Sequence, residues 1–154
     1  MITTTPSLFH ALAATPVLAG TNSGAQTLFA EEGAVRDFAP GEWIVREGDE
    51  GHAFFILVEG NVEVIKHAYT PHAVTLATLK QGSLFGEMCI VEPMTRAASV
   101  LALSPVRVIE IRAATLHHLY QKMPDQYAIV LLNVARDMAR RLRQLDEVYA
   151  ARAT

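Results

Sequence analysis

The residue types in this chain that could do chemistry are concentrated between Gly82 and Val100, in GSLFGEMCIVEPMTRAASV. Phe85-Gly86-Glu87 reads as the end of a short strand, and Glu87 to Val91 as a single turn of helix. The N–H groups of such a turn attract an anion, and a glycine lets a ligand approach the backbone closely. Nine residues beyond Glu87 stands Arg96, whose guanidinium can clamp two phosphate oxygens in a fork. Ala97 and Ala98 beside it leave room and backbone donors for the same anion, and Ser99 follows. This pattern points to capture of a small anion. No nucleophile–base pair accompanies it, so bond-making chemistry is not expected.

The remaining reactive side chains carry less. Cys89 is the one cysteine, which excludes an internal disulfide, a Cys-rich zinc site and a Cys-ligated iron–sulfur cluster. With no basic residue close to it in the sequence, Cys89 reads as a small hydrophobe rather than a reactive thiol. His117 and His118 face different directions on a helix. His67 and His72 flank a loop without forming the His-x-His of metal-binding cupin barrels. A cupin-like metal-dependent enzyme is therefore an alternative without a ligand set, and no cofactor is expected. Arg136, Arg140, Arg141 and Arg143 read as the solvated back of the last helix. Asp137, Asp146 and Glu147 dilute them, and the net charge of −3 gives no general attraction to DNA or acidic lipid.

The elements that must position these residues form three zones. Of the 154 residues, 51% are hydrophobic and 19% charged, which fits one folded domain and excludes a disordered chain. Residues 1–33 contain two short helical patterns, Ser7 to Ala14 and Gly24 to Glu32, with Ser7 as a cap and Gly33 as a stop. They lack a basic n-region, and Pro6, Pro16 and Thr3 to Thr5 break their apolar run, so no targeting signal is expected. No stretch approaches about eighteen apolar residues, so no membrane span is expected and the chain is placed in the cytoplasm.

Residues 34–112 read as short strands punctuated by Gly and Pro turns: Val35 to Phe38, Trp43 to Arg46, Phe54 to Val58, Val62 to His67, Val74 to Leu76, Ser99 to Leu103 and Val106 to Ile111. Short strands at regular spacing indicate a closed or sandwiched all-β unit. Residues 113–154 switch to helix. A short one carries Leu116, Leu119 and Tyr120 and ends before Pro124. A long one follows, whose apolar stripe is Leu131, Ala135, Met138, Leu142, Leu145 and Tyr149. That 4-3-4-3-4 spacing is a heptad seam facing either the β unit or a partner helix.

Residues 82–100 resemble the phosphate-binding cassette of cyclic nucleotide-binding domains. Such domains occur in regulatory subunits of cAMP-dependent protein kinase, in catabolite activator-type regulators and in cyclic nucleotide-gated channels. The family pattern is Phe-Gly-Glu, two or three apolar residues, a variable loop, then Arg-(Ala/Ser/Thr)-Ala-(Thr/Ser)-Val. Here it reads Phe85-Gly86-Glu87, Met88-Cys89-Ile90-Val91, Glu92 to Thr95, and Arg96-Ala97-Ala98-Ser99-Val100. Phe38 to Glu42, Val45 to Asp49 and Phe54 to Val64 are also similar, so the resemblance spans about 35–112. Thr95 replaces a common proline, and Cys89 a small residue.

The resemblance implies a jelly-roll-like β-roll barrel, mainly β, with short N-terminal helices, a cassette helix near 87–91 and a long C-terminal helix. It implies that Phe85, Gly86, Glu87, Met88, Cys89, Arg96, Ala97, Ala98 and Ser99 surround a cyclic nucleotide. Arg96 would hold the phosphate and the Ala97–Ala98 backbone would add a donor. Glu87 would accept the ribose 2′-OH, and Ser99 would lie near base or phosphate. Ala97 stands where cGMP binders often carry Thr, which favours cAMP over cGMP. Tyr127, Leu131, Leu132, Ala135 and Arg136 are the candidates to cap the base.

The expected function is a non-enzymatic sensor that signals through its last helix, either to an unidentified effector protein or across a homodimer through Leu131, Met138, Leu142 and Leu145. A scaffold of the same fold without ligand binding is the other alternative, and the intact Glu87 and Arg96 argue against it. DNA binding is not expected, because a winged helix–turn–helix would need roughly 60–70 further residues after the long helix.

Overall fold

Strand Ala53–Glu59 (β3) explains the architecture, because its apolar run has no polar face to give to water. The computed structural model describes residues 6–92 and 95–152, and in it β3 is buried from Ala53 to Val58. Phe54, Ile56 and Val58 point to one side and join a core shared with helices. Phe55 and Leu57 point to the other and join a core between two sheets. A strand covered on both faces needs apolar side chains on both, which a continuous run supplies.

The other elements follow from that layering. Helices Pro6–Ala13 (α1) and Ser23–Glu32 (α2) flank a 3₁₀ turn at Pro16–Leu18. Strands Ala34–Phe38 (β1), Trp43–Val45 (β2), Val62–Lys66 (β4), Val74–Leu79 (β5), Leu84–Phe85 (β6), Ser99–Ala102 (β7) and Val106–Arg112 (β8) complete an antiparallel set of eight. They form two four-stranded sheets, ordered β1-β8-β3-β6 and β2-β7-β4-β5. The β unit is thus sandwiched rather than closed. Helix Met88–Val91 (α3) sits between β6 and β7, while Ala113–Lys122 (α4) and Pro124–Arg152 (α5) follow β8.

Several boundaries differ from the sequence reading by a few residues. Asn22, not Gly24, starts α2: its side chain accepts the Ala25 N–H at 3.0 Å, a standard N-cap. Helix α1 begins at Pro6 rather than at Ser7. Strand β6, whose end the sequence placed at Phe85-Gly86-Glu87, has two residues and is held by pairing of Leu84 and Phe85 with Ile56 and Phe55.

Helix α5 packs on the body with a face beside the expected seam. Its buried residues are Gln126, Val130, Asn133 and Val134, none of them in the heptad stripe. Asn133 donates to the carbonyls of Val17 at 3.0 Å and Ala19 at 2.8 Å. Gln126 accepts the Asn22 N–H at 2.7 Å. These polar anchors tie α5 to the N-terminal segment, and polar anchors are invisible to a search for apolar periodicity. Of the stripe itself, Leu131 and Met138 are half-buried, whereas Ala135, Leu142, Leu145 and Tyr149 are exposed.

Candidate functional site

Arg96 is fixed first by its backbone. Its N–H donates to Asp49 O at 2.7 Å, and its own carbonyl accepts from Gly48 N–H at 2.9 Å. Thr95 forms an isolated bridge with Glu50. The turn 46–49 therefore holds the arginine against the mouth of β3.

The side chain lies over the cassette. Its Nη1 donates to Gly86 O at 3.1 Å and its Nη2 to Ala53 O at 2.8 Å. The guanidinium carbon stands 5.6 Å from the centre of the Phe55 ring. Two glycines make that approach feasible. A Cβ on Gly51 would lie 2.4 Å from the guanidinium carbon, and one on Gly86 2.8 Å from Nη1. Gly86 also adopts φ +76°, which disfavours other residues. No carboxylate forms an ion pair with Arg96 among the described residues. A guanidinium has five N–H donors, and carbonyl acceptors leave its charge uncompensated. This arrangement can receive an anion.

The other expected site residues divide into three groups. Ala97 is exposed and Ala98 half-buried, both directly after Arg96. Lys66 reaches the same place, donating from Nζ to Ala97 O at 2.6 Å, and was not anticipated. Met88 is exposed and Cys89 half-buried on α3. Cys89 Sγ lies 3.1 Å from Gly86 O and 4.0 Å from Arg96 Nη1, so a cation does approach this thiol, contrary to the view from its sequence neighbours. Phe85 and Ser99 lie beneath the surface. Phe85 is 1% exposed and stacks on Phe55 at 5.1 Å. Ser99 is fully buried and its Oγ accepts the Glu47 N–H at 2.9 Å. Through that bond its hydroxyl supports the turn that carries Arg96.

Glu87 is the most altered residue. Its side chain is only 6% exposed, and Oε1 accepts from Arg141 Nη1 at 2.9 Å. Arg141 is thus not on the solvated back of α5, as its neighbours Arg136, Arg140 and Arg143 are. Asp137 joins from one helical turn earlier, with Oδ2 at 3.3 Å from Arg141 Nε. Burial pushes the Glu87 carboxyl above the usual carboxylate range, against the opposing charge of Arg141. Burial raises Asp137 likewise, with Arg141 and Arg140 opposing. Helix α5 therefore meets the cassette at Asp137 and Arg141, C-terminal to all five residues expected to cap a base. A 54-residue separation leaves no local signal for this pairing.

One consequence is a pH-dependent stability. A carboxyl whose pKa is raised by folding binds its proton more tightly in the native state. Its contribution then declines as pH rises through the range just above ordinary carboxylate titration. Urea unfolding of the wild type and of Glu87→Gln should show the wild-type stability falling relative to the variant across that range. A difference that stays flat with pH would remove the burial account of Glu87.

A cleft of about 1010 Å³ opens on the far side of Arg141, lined by residues of α1, the 3₁₀ turn, the β5–β6 loop and α5. Arg96, Gly86 and Ala97 do not line it, so it is separate from the anion site. No group of three or more His, Cys, Asp or Glu among the described residues could hold a metal. No helix among them is long and apolar enough to cross a membrane.

Comparison with known proteins agrees with this geometry. The family model "cyclic nucleotide-binding domain" matches residues 35–123. A cAMP-dependent protein kinase regulatory subunit from Hypocrea atroviridis is 32% identical over 93 residues, 60% of this chain and 19% of that protein. The cyclic AMP receptor protein of Thermus thermophilus is 31% identical over 111 residues, 72% of this chain and 50% of that one. The chain thus matches about a fifth to a half of these relatives' length. A crystal structure of a cyclic nucleotide-binding domain from Methylobacillus flagellatus superposes with TM-score 0.85 at 22% identity, covering 95% of this chain and 84% of that one. The cassette residues, the two-sheet roll and the family match together place this chain in the cyclic nucleotide-binding domain family.

Proposed function

We propose that this chain is a non-enzymatic sensor module that binds cAMP in preference to cGMP and reports occupancy through α5. The observation that supports it most is the Arg96 guanidinium, held over Gly86 by carbonyls and left without a carboxylate partner. A cyclic phosphate supplies the missing negative charge. Its exocyclic oxygens accept from Arg96 and from the Ala97–Ala98 backbone, and the first amides of α3 at Met88 and Cys89 add donors. Glu87 accepts the ribose 2′-OH. Phe85 and Ser99 act from below, Phe85 as the floor under Arg96 and Ser99 as the support of its loop. Ala97, with no hydroxyl to meet a guanine amino group, favours adenine.

Output passes to an effector protein or across a homodimer, in a cytoplasmic setting. Leu142 and Leu145, exposed at 61% and 41%, are the part of α5 available for such contact, with Leu131 and Met138 half-covered by the body. A thermal-shift series with cAMP, cGMP and 5′-AMP tests the assignment, because a ligand of the native state raises its melting temperature by mass action. The cyclic nucleotides should raise it, cAMP at the lowest concentration, and 5′-AMP should not. Equal shifts with 5′-AMP, or none with either cyclic nucleotide, would overturn the proposal.

A further inference from the structure

We propose that Lys66 is a positioning residue of the anion site: its ammonium holds the Ala97–Ala98 backbone in one arrangement and keeps its N–H groups ready for a bound phosphate. The proposal rests on the nucleotide reading above and adds the residue that prepares the backbone donors.

Two alanines have no side chain long enough to anchor their own backbone. The chain on either side of them is fixed. The Arg96 carbonyl accepts from Gly48 N–H at 2.9 Å, and Ser99 opens β7 opposite Ile65 on β4. Between those points the backbone of Ala97 and Ala98 has one hydrogen bond among the described residues. Lys66 supplies it, from Nζ to Ala97 O at 2.6 Å. The Ala97–Ala98 peptide is trans, so pinning its carbonyl also fixes the direction of the Ala98 N–H on its other side. Neither alanine N–H has a partner among the described residues. A backbone N–H needs an acceptor, and successive N–H groups in a turn suit an anion.

Lys66 is itself held. It ends β4, and its Nζ lies 3.4 Å from Glu47 Oε2. Glu47 Oε1 accepts the His67 N–H at 2.9 Å, and the Glu47 N–H donates to Ser99 Oγ at 2.9 Å. The carboxylate is thus tied to both ends of the segment that Lys66 bridges, and it steers the ammonium toward the carbonyl. An ion pair this exposed, 38% at Lys66 and 28% at Glu47, adds little to stability. Its consequence is placement. A donor segment that is ordered before the ligand arrives removes part of the ordering cost of binding.

Isothermal titration of cAMP into the full chain, Lys66→Met and Lys66→Arg tests the role. A segment that is in the competent arrangement only part of the time lowers apparent affinity by that fraction, so Lys66→Met should bind about 3- to 20-fold more weakly. Lys66→Arg can still donate to the carbonyl and should regain most of the loss. The ratio of Lys66→Met to wild type should be the same at about 0.1 M and about 1 M salt, because salt screens charge and not orientation. Amide NMR spectra of the ligand-free, alanine-labelled proteins supply an independent reading. The Ala97 and Ala98 signals should be sharp in wild type and Lys66→Arg, and broadened in Lys66→Met by exchange between backbone arrangements. Unchanged affinity in Lys66→Met would overturn the proposal. So would a loss that disappears at high salt, which makes Lys66 a distant charge, or alanine signals alike in all three proteins. If the wild type binds neither cyclic nucleotide, the nucleotide reading fails instead, and the ligand-free alanine signals alone decide whether Lys66 holds the segment.

Discussion

Arg96→Ala is expected to weaken cAMP binding by about 10- to 150-fold, the loss of a charge-assisted contact worth roughly 1.5–3 kcal/mol. The expectation stands on what surrounds the guanidinium. Its two side-chain bonds go to the carbonyls of Gly86 and Ala53, neutral acceptors that orient it without cancelling its charge. A phosphate arriving there meets a cation already placed, so little ordering cost remains. Arg96→Lys keeps the charge but loses the fork, and should fall between wild type and alanine. Isothermal titration of the three proteins measures the series. An alanine variant with wild-type affinity would refute the role assigned to Arg96. Melting curves serve as the control, because truncation also frees two carbonyls at the mouth of β3.

Phe54→Ala should cost about 3–5 kcal/mol of stability, the range for removing a large aromatic side chain from a packed core. Phe54 is 0% exposed and its ring lies 6.4 Å from that of Phe29 on α2. It is the place where the helical layer seats on the outer face of β3, and the surrounding residues are themselves buried and unable to collapse into the gap. For a chain of this length the melting temperature should fall by about 6–20 °C. Urea denaturation provides the free energy directly. A loss below about 1 kcal/mol would mean that the layers are not joined through this residue. The neighbouring Phe55 faces the opposite way, under Arg96, so one dipeptide contributes to the helix-facing core and to the floor of the site.

The cassette was the most legible part of the site. Gly86, Glu87, Arg96, Ala97 and Ala98 all fall between positions 86 and 98, and close spacing favours proximity whatever the rest of the chain does. Strands were legible wherever four or more residues kept a run or an alternation between turn signals. Strand β6 was legible only by its end at Phe85-Gly86-Glu87, because two residues carry no period, and pairing with β3 defines its extent. The two-sided burial of β3 was hinted at by its unbroken apolar run, but the partners on each side were not.

Helix α5 shows where sequence reasoning ends. Its existence and length followed from the absence of Gly and Pro across nearly thirty residues. The face it buries did not, because hydrogen bonds of Gln126 and Asn133 to the N-terminal segment, more than a hundred residues away, fix its rotation. The same rotation turns Arg141 inward while Arg136, Arg140 and Arg143 stay in solvent, a distinction that four like residues on one helix cannot express in one dimension.

Local structure was therefore written in the sequence: which segments are strands, and which arginine stands beside the cassette loop. Tertiary structure alone decided that Glu87 is already paired, that Ser99 accepts a backbone amide, and that the helix meets the cassette at Asp137 and Arg141. The physical reason is that anion capture needs neighbours in sequence, whereas a carboxylate's counter-ion depends on how a distant helix is rotated and docked.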